Sequence, residues 1–304
     1  MNSHSKRSAL AAIGNGALGG LQWRLLLLWI LISLLPTLVV ALPLWSTLDA
    51  MLGNSVHAEA WAKHFDGLMF GDVFNALGRN NPWMGMAFVA GTILTLATSP
   101  FLTGMAVAGG RAGRALSFGG LLQGGATEYG RMLRLLLLSL VPYGVFALVA
   151  KVVSSFADDS TDAALLPATA DMYAYGALAV ALLCFAIAQI VVESARAQFV
   201  ADIVLRSAFR ALGRGFVQFI RRPFASLLVY LVITLVGVAL AVLIGAWRGH
   251  TVASGSGLVV AFLIVQLGVV VLAWMRTARL LAMAGIAAVN SAQRRRRTDF
   301  APAL

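Results

Sequence analysis

The chain has 304 residues, 60% of them hydrophobic and only 12% charged, with a mean hydropathy of +0.86. Soluble domains carry about a quarter of their residues as charged side chains, so a water-soluble fold is excluded. The net charge of +11 sits between long apolar runs, not on an exposed basic domain, and so argues for membrane topology and against nucleic acid as a partner.

Residues 1–24 form a short leading segment in which Lys6, Arg7 and Arg24 flank small residues. The charge-free run 25–48 that follows is enough helix to cross roughly 30 Å of hydrocarbon. It is too long for a signal-peptide core and no small-x-small pair closes it, which predicts a retained signal anchor with the N-terminus left in the cytoplasm. Five more charge-free runs, at about 83–109, 135–150, 172–192, 223–247 and 257–275, complete the expectation: an all-α polytopic membrane domain of six transmembrane helices over 25–280. Pro36, Pro100 and Pro142 are read as tolerated kinks within the spans. A cytoplasmic tail, 281–304, carries four consecutive arginines at 294–297.

The loops agree with that count. Of the 23 basic residues, all but Lys63, Arg79, Lys151 and Arg248 fall in segments that six spans place on one side. Asp49, Glu59, Asp66, Asp72, Asp158, Asp159, Asp162 and Asp171 gather on the other. Basic residues near span ends favour the cytoplasm, so both termini are expected inside. The preference for arginine over lysine, with abundant Ala, Leu and Gly, suggests a bacterial inner-membrane protein from a GC-rich genome. The odd-numbered spans each begin basic and turn leucine-rich, as in WRLLLLWILISLLP from Trp23, LRLLLLSLVP from Leu133 and RRPFASLLVYL from Arg221. A helical hairpin repeated three times would produce this pattern, and so would topology alone.

Between the first two spans, Trp61, Phe65, Leu68, Met69, Val73 and Leu77 recur at helical spacing, which predicts an interfacial helix on the outer side. His57 and His64 share a face there, but no tight ligand spacing points to a metal. GNGALGG at 14–20 contains a formal G-x-G-x-x-G, with no strand before it and no βαβ unit after it, so it is not a dinucleotide site. The glycine pairs at 109–110, 119–120 and 124–125 lack the lysine of a phosphate loop and suit close helix packing or a re-entrant segment. DDSTD at 158–162 lacks the ligand spacing of a calcium loop. His250 and Ser254 lack the third group and the oxyanion donors that a serine nucleophile requires. The lone Cys184 lies inside a span, which removes intramolecular disulfide and CxxC chemistry.

No apolar run holds a charged residue in its interior, which disfavours ion-coupled transport. The polar residues of the spans, Thr92, Thr95, Thr98, Ser99, Thr103, Ser139, Tyr143, Gln189, Ser226, Thr234 and Gln266, are expected mostly to hydrogen-bond between helices. Gln189 and Gln266 are the costliest of them to bury.

The most patterned stretch is VLRSAFRALGRGF at 204–216. Helical projection sets Arg206, Arg210 and Arg214 against Val204, Leu205, Ala208, Phe209, Ala211, Leu212 and Phe216, which predicts a short basic amphipathic helix in the headgroup region of an anionic leaflet. Gly213 and Gly215 loosen it before Arg221, Arg222 and Pro223 open the fifth span. Arg206, Arg210, Arg214, Arg221 and Arg222 are thus the candidate lipid-headgroup contacts. The longer run FVADIVLRSAFRALGRGF resembles a cytoplasmic segment of the membrane domain attached to some glycerophosphoryl diester phosphodiesterases. That resemblance implies a multi-span module associated with lipids or the envelope; it carries over no catalytic residue, since those enzymes keep catalysis in a separate soluble barrel. The expectation is a non-enzymatic, multi-pass inner-membrane protein acting as an interaction or lipid-associated module, with no cofactor and no metal, in contact with membrane lipids and anionic inner-leaflet headgroups. The rival expectation is a permease or channel for an uncharged or lipidic solute.

Overall fold

Proline and serine mark where several of the helices begin. Pro167 and Pro223 stand in the first turn of their helices, where the missing N–H has no intrahelical partner to lose. Ser117 and Ser207 cap theirs, accepting from the N–H of Gly120 at 3.2 Å and of Arg210 at 3.4 Å. The computed structural model describes residues 3–56, 67–80, 82–164, 166–252, 255 and 257–299. His57, His64, Trp61, Phe65 and Ser254 lie outside the described residues. The helices are α1 (Ser3–Gly19), α2 (Trp23–Leu52), α3 (Gly67–Asn80), α4 (Pro82–Ala112), α5 (Phe118–Leu138), α6 (Leu140–Asp162), α7 (Pro167–Ala201), α8 (Ala208–Arg221), α9 (Pro223–Gly249) and α10 (Gly257–Asp299).

Among the described residues the protein is all-helical, and six helical stretches are long and apolar enough to cross a membrane. They belong to α2, α4, α5 with α6, α7, α9 and α10. The spans pair in chain order, α2 with α4, α6 with α7 and α9 with α10, and α10 also packs on α7, α2 and α1. The third apolar stretch, Phe118–Asp162, is divided at Ser139, where α5 ends and α6 begins. Leu135 therefore belongs to α5, fully buried, and Pro142 falls in the first turn of α6 instead of kinking a span.

Most of the tightly packed side chains lie at the arginine-bearing end. Phe199, Leu25, Met105, Leu121, Leu135, Ile190 and Met283 are fully buried there. At the opposite end Leu42, Trp45, Ile93, Leu148, Leu182 and Leu243 are exposed. Hydrocarbon is as apolar as leucine and gives helices no hydrophobic reason to associate, so packing follows small residues and polar locks. The GNGALGG stretch is one such place. A Cβ on Gly16 would stand 2.7 Å from the Ala278 carbonyl oxygen and 2.8 Å from the Ala282 nitrogen, and one on Gly20 3.2 Å from the Ala278 nitrogen. These glycines let α1 lie directly on α10, where the Trp274 indole N–H donates to the Ala17 carbonyl at 2.9 Å. Gly125 does the same between α5 and α4, since its Cβ would meet Met105 at 2.8 Å.

The threonines of α4 behave differently from the expectation of interhelical bonds. Thr92, Thr95, Thr98 and Thr103 each donate to the carbonyl four residues back in their own helix. In an apolar surround a nearby carbonyl satisfies the hydroxyl without a partner helix.

Gly215 of α8 supplies a paired test of this packing. A Cβ there would come 2.6 Å from the Ala195 nitrogen and 2.9 Å from the Val191 oxygen, whereas Gly213 has nothing within 4 Å. Gly215→Val should lower stability by about 1–3 kcal/mol through backbone displacement, and Gly213→Ala should raise it by up to about 1 kcal/mol through helix propensity. Thermal unfolding of the two variants in detergent checks both signs.

Candidate functional site

Gln189, Glu193 and Arg196 recur on α7 at intervals of four and three, which places them along one face. Arg276 and Arg279 share a face of α10 by the same spacing. The packing of α7 against α10 brings the two faces together around a cavity of about 150 Å³, whose other walls include Trp29 of α2, Ser99 and Thr103 of α4 and Tyr143 of α6. Charges that flank the ends of apolar runs in the sequence thus meet inside the helix assembly.

Glu193 is 3% exposed. It accepts from Arg196 at 3.2 Å along its own helix and lies 3.8 Å from Arg279 across to α10. Arg279 is buried as well, donates to the Thr234 hydroxyl at 3.2 Å and sits over the Tyr230 ring at 5.1 Å from its centroid. Arg276 is exposed, has no ion pair among the described residues, and lies 5.9 Å from the centroid of the Trp29 ring. Arginine stays protonated throughout the accessible pH range. Three guanidiniums against one carboxylate therefore leave an excess of two positive charges around the cavity.

A second lock lies at the same end. Glu128 of α5 is buried and pairs with Arg111 of α4 at 2.5 Å and Arg131 at 3.1 Å, while Arg111 Nε donates to the Phe199 carbonyl of α7 at 2.7 Å. One guanidinium thereby ties three helices.

The basic arm is placed more narrowly than expected. Helix begins at Ala208, not Val204, because Asp202 accepts from the Val204 N–H at 3.1 Å and Ser207 provides the cap. Arg206 consequently precedes the helix. Three faces emerge where the projection suggested two. Ala208, Ala211, Gly215 and Gln218 are buried, with the Gln218 side chain bonded to Gln198 at 2.7 Å and to the Met283 carbonyl at 3.4 Å. Phe209, Phe216 and Ile220 are exposed. Arg206, Arg210, Arg214 and Arg221 are exposed too, and Arg222 is half-buried at the junction of α8 and α9. Phe216 and Leu212 continue into an apolar groove with Val141, Val145 and Phe146 of α6. Arg214 pairs with Asp202 at 2.7 Å, so its charge is shared.

Of the polar span residues singled out in the sequence, Gln189, Ser99, Thr103 and Tyr143 line the cavity. Thr234 reaches it through Arg279, whereas Gln266, ten residues before Arg276 on α10, does not. Arg196, Arg276 and Arg279 read in the sequence as topology markers alone. The E-x-x-R at 193–196 and R-x-x-R at 276–279, each fused to a span end and facing one way, are the signal that could have found them.

Breaking a buried pair leaves an uncompensated charge at a cost of about 3–5 kcal/mol. Glu193→Ala should therefore lower stability by several times more than Asp202→Ala, and 0.5 M salt should not erase the difference. The Arg214–Asp202 pair has side chains 42% and 37% exposed, which limits it to about 1 kcal/mol or less. Arg214, hydrogen-bonded to the carboxylate, holds Asp202 below the usual carboxylate range, helped by the Val204 N–H. A lowered carboxyl pKa contributes stability above the ordinary aspartate value of about 3.9 and loses it as pH falls through the lowered one. The small deficit expected of Arg214→Gln at pH 7 should vanish over that acid window in thermal unfolding.

No protein-family model matches the chain, and neither a curated protein nor a solved structure is similar to it.

Proposed function

We propose that the protein is a non-enzymatic, lipid-associated module of the bacterial inner membrane, oriented with its arginine-bearing end and both termini in the cytoplasm. The observation that carries this reading is the surface of α8. Phe209, Phe216 and Ile220 are exposed beside the exposed Arg210, Arg214 and Arg221. An apolar strip next to a basic one suits the boundary between acyl chains and anionic headgroups. Arg206, Arg210 and Arg221 carry most of that contact, Arg214 less because Asp202 shares it, and Arg222 lies at the edge.

A permease or channel is the second reading, supported by the polar cavity among the spans. Its excess positive charge favours an anionic solute over the uncharged one that charge-free spans suggest. Flux of an anion in reconstituted vesicles, reduced by Gln189→Ala, would favour that reading over the module.

Mass spectrometry of lipid retained by the full-length protein tests the module. Arg206→Gln, Arg210→Gln and Arg221→Gln together should reduce the ratio of anionic to zwitterionic phospholipid retained, and the wild-type ratio should fall with added salt. An unchanged ratio removes the proposal. For orientation, a C-terminal phosphatase fusion should be inactive and a cytoplasmic reporter active at the same position; the opposite pattern inverts the topology.

A further inference from the structure

The geometry points to an oxyanion site in the cavity between α2, α4, α6, α7 and α10, independent of the arm, with a phosphate-type dianion as its ligand. Two observations converge on it. The first is charge: Arg196 and Arg279 inside the assembly and Arg276 at its exposed mouth exceed Glu193 by two around one cavity, and the buried part of that excess is costly to leave unneutralised. A dianion such as inorganic phosphate or a phosphomonoester cancels that excess, and a phosphodiester cancels half of it. The second is hydrogen bonding. Arg279 Nε and Trp29 Nε1 are buried N–H groups with no partner, on side chains that line this cavity and are each 7% exposed. Both can only donate, so an oxyanion oxygen or a water is the kind of partner that would complete them. Ser99, Tyr143 and Gln189 add donor groups to the wall, and the room, about 150 Å³, suits a small oxyanion with water.

The exposed Arg276, free of any ion pair among the described residues, forms the approach, and the buried Arg279 the fixed interior of the site. Glu193 orients Arg196 and Arg279 and keeps the empty cavity from holding three unopposed charges. Arginine suits this task because its planar fork bonds phosphate oxygens in pairs.

The test uses the full-length protein in phosphatidylcholine nanodiscs, titrated with inorganic phosphate and, separately, assembled with phosphatidic acid or phosphatidylglycerol. Thermal shift and native mass spectrometry provide the readouts. Phosphate or phosphatidic acid should stabilise the wild type, and phosphatidylglycerol should do so at least tenfold more weakly. Arg276→Gln, which breaks no ion pair, should weaken the response at least tenfold, and so should Arg279→Lys, which keeps the charge but loses Nε. Arg134→Gln, an exposed arginine of α5 outside both the cavity and the arm, should leave the response to inorganic phosphate unchanged. A response to free phosphate assigns a soluble oxyanion, and a response to phosphatidic acid alone assigns a lipid phosphomonoester. Response to neither, equal response to phosphatidylglycerol, or indifference to Arg276→Gln overturns the site. Loss of selectivity through Arg210→Gln, with Arg276→Gln silent, would place headgroup recognition on the arm instead.

Discussion

Glu193 is the group around which the arginine-bearing end is arranged. A carboxylate this deeply buried persists only when paired, and its partners come from two helices, Arg196 beside it and Arg279 across from it. Holding Arg279 in place fixes the rotation of α10 against α7, and Arg279 in turn reaches Thr234 and Tyr230 on α9. The register of three long helices therefore hangs on one ionic contact and the groups that complete it. Glu128 repeats the arrangement at the second corner, where Arg111 joins α4, α5 and α7. Asp202 and Arg214 repeat it in weaker form near the surface.

Each of these locks works because small residues let the helices come close enough. Gly16 and Gly20 seat α1 on α10, Gly125 seats α5 on α4, and Gly215 seats α8 on α7. Hydrophobic attraction between helices is weak in hydrocarbon, so close backbone approach and polar contacts must hold the assembly together. The other end has few of either and leaves its leucines and valines outward. The result is a molecule with one rigid, charged end and one loosely packed, apolar end.

The arm is bound into that rigid end and does not float beside it. Gly215 is seated on α7 and Gln218 is bonded to both α7 and α10, which leaves Phe209, Phe216, Ile220 and most of the arginines exposed. Its charge is accordingly presented at a fixed height and angle relative to the cavity.

The sequence by itself determined the class of the protein, its six long apolar stretches and the segregation of its basic residues. Those properties depend on run length against bilayer thickness and on local charge, and neither needs a neighbour. It also located the arm, although not the start of its helix, because Asp202 and Ser207 decide that by bonds to their own backbone. Only the tertiary structure decided which charges matter. Glu193 and Arg279 are 86 residues apart, and each alone reads as an ordinary span-end residue. Their meeting depends on the phase of two helices at contact, which hydropathy does not encode because leucine and valine suit every face of a helix in lipid. The glycines of 14–20 were visible as a pattern, but their use in seating one helix on another depends on the presence of α10, 257 residues further on in the Trp274–Ala17 bond.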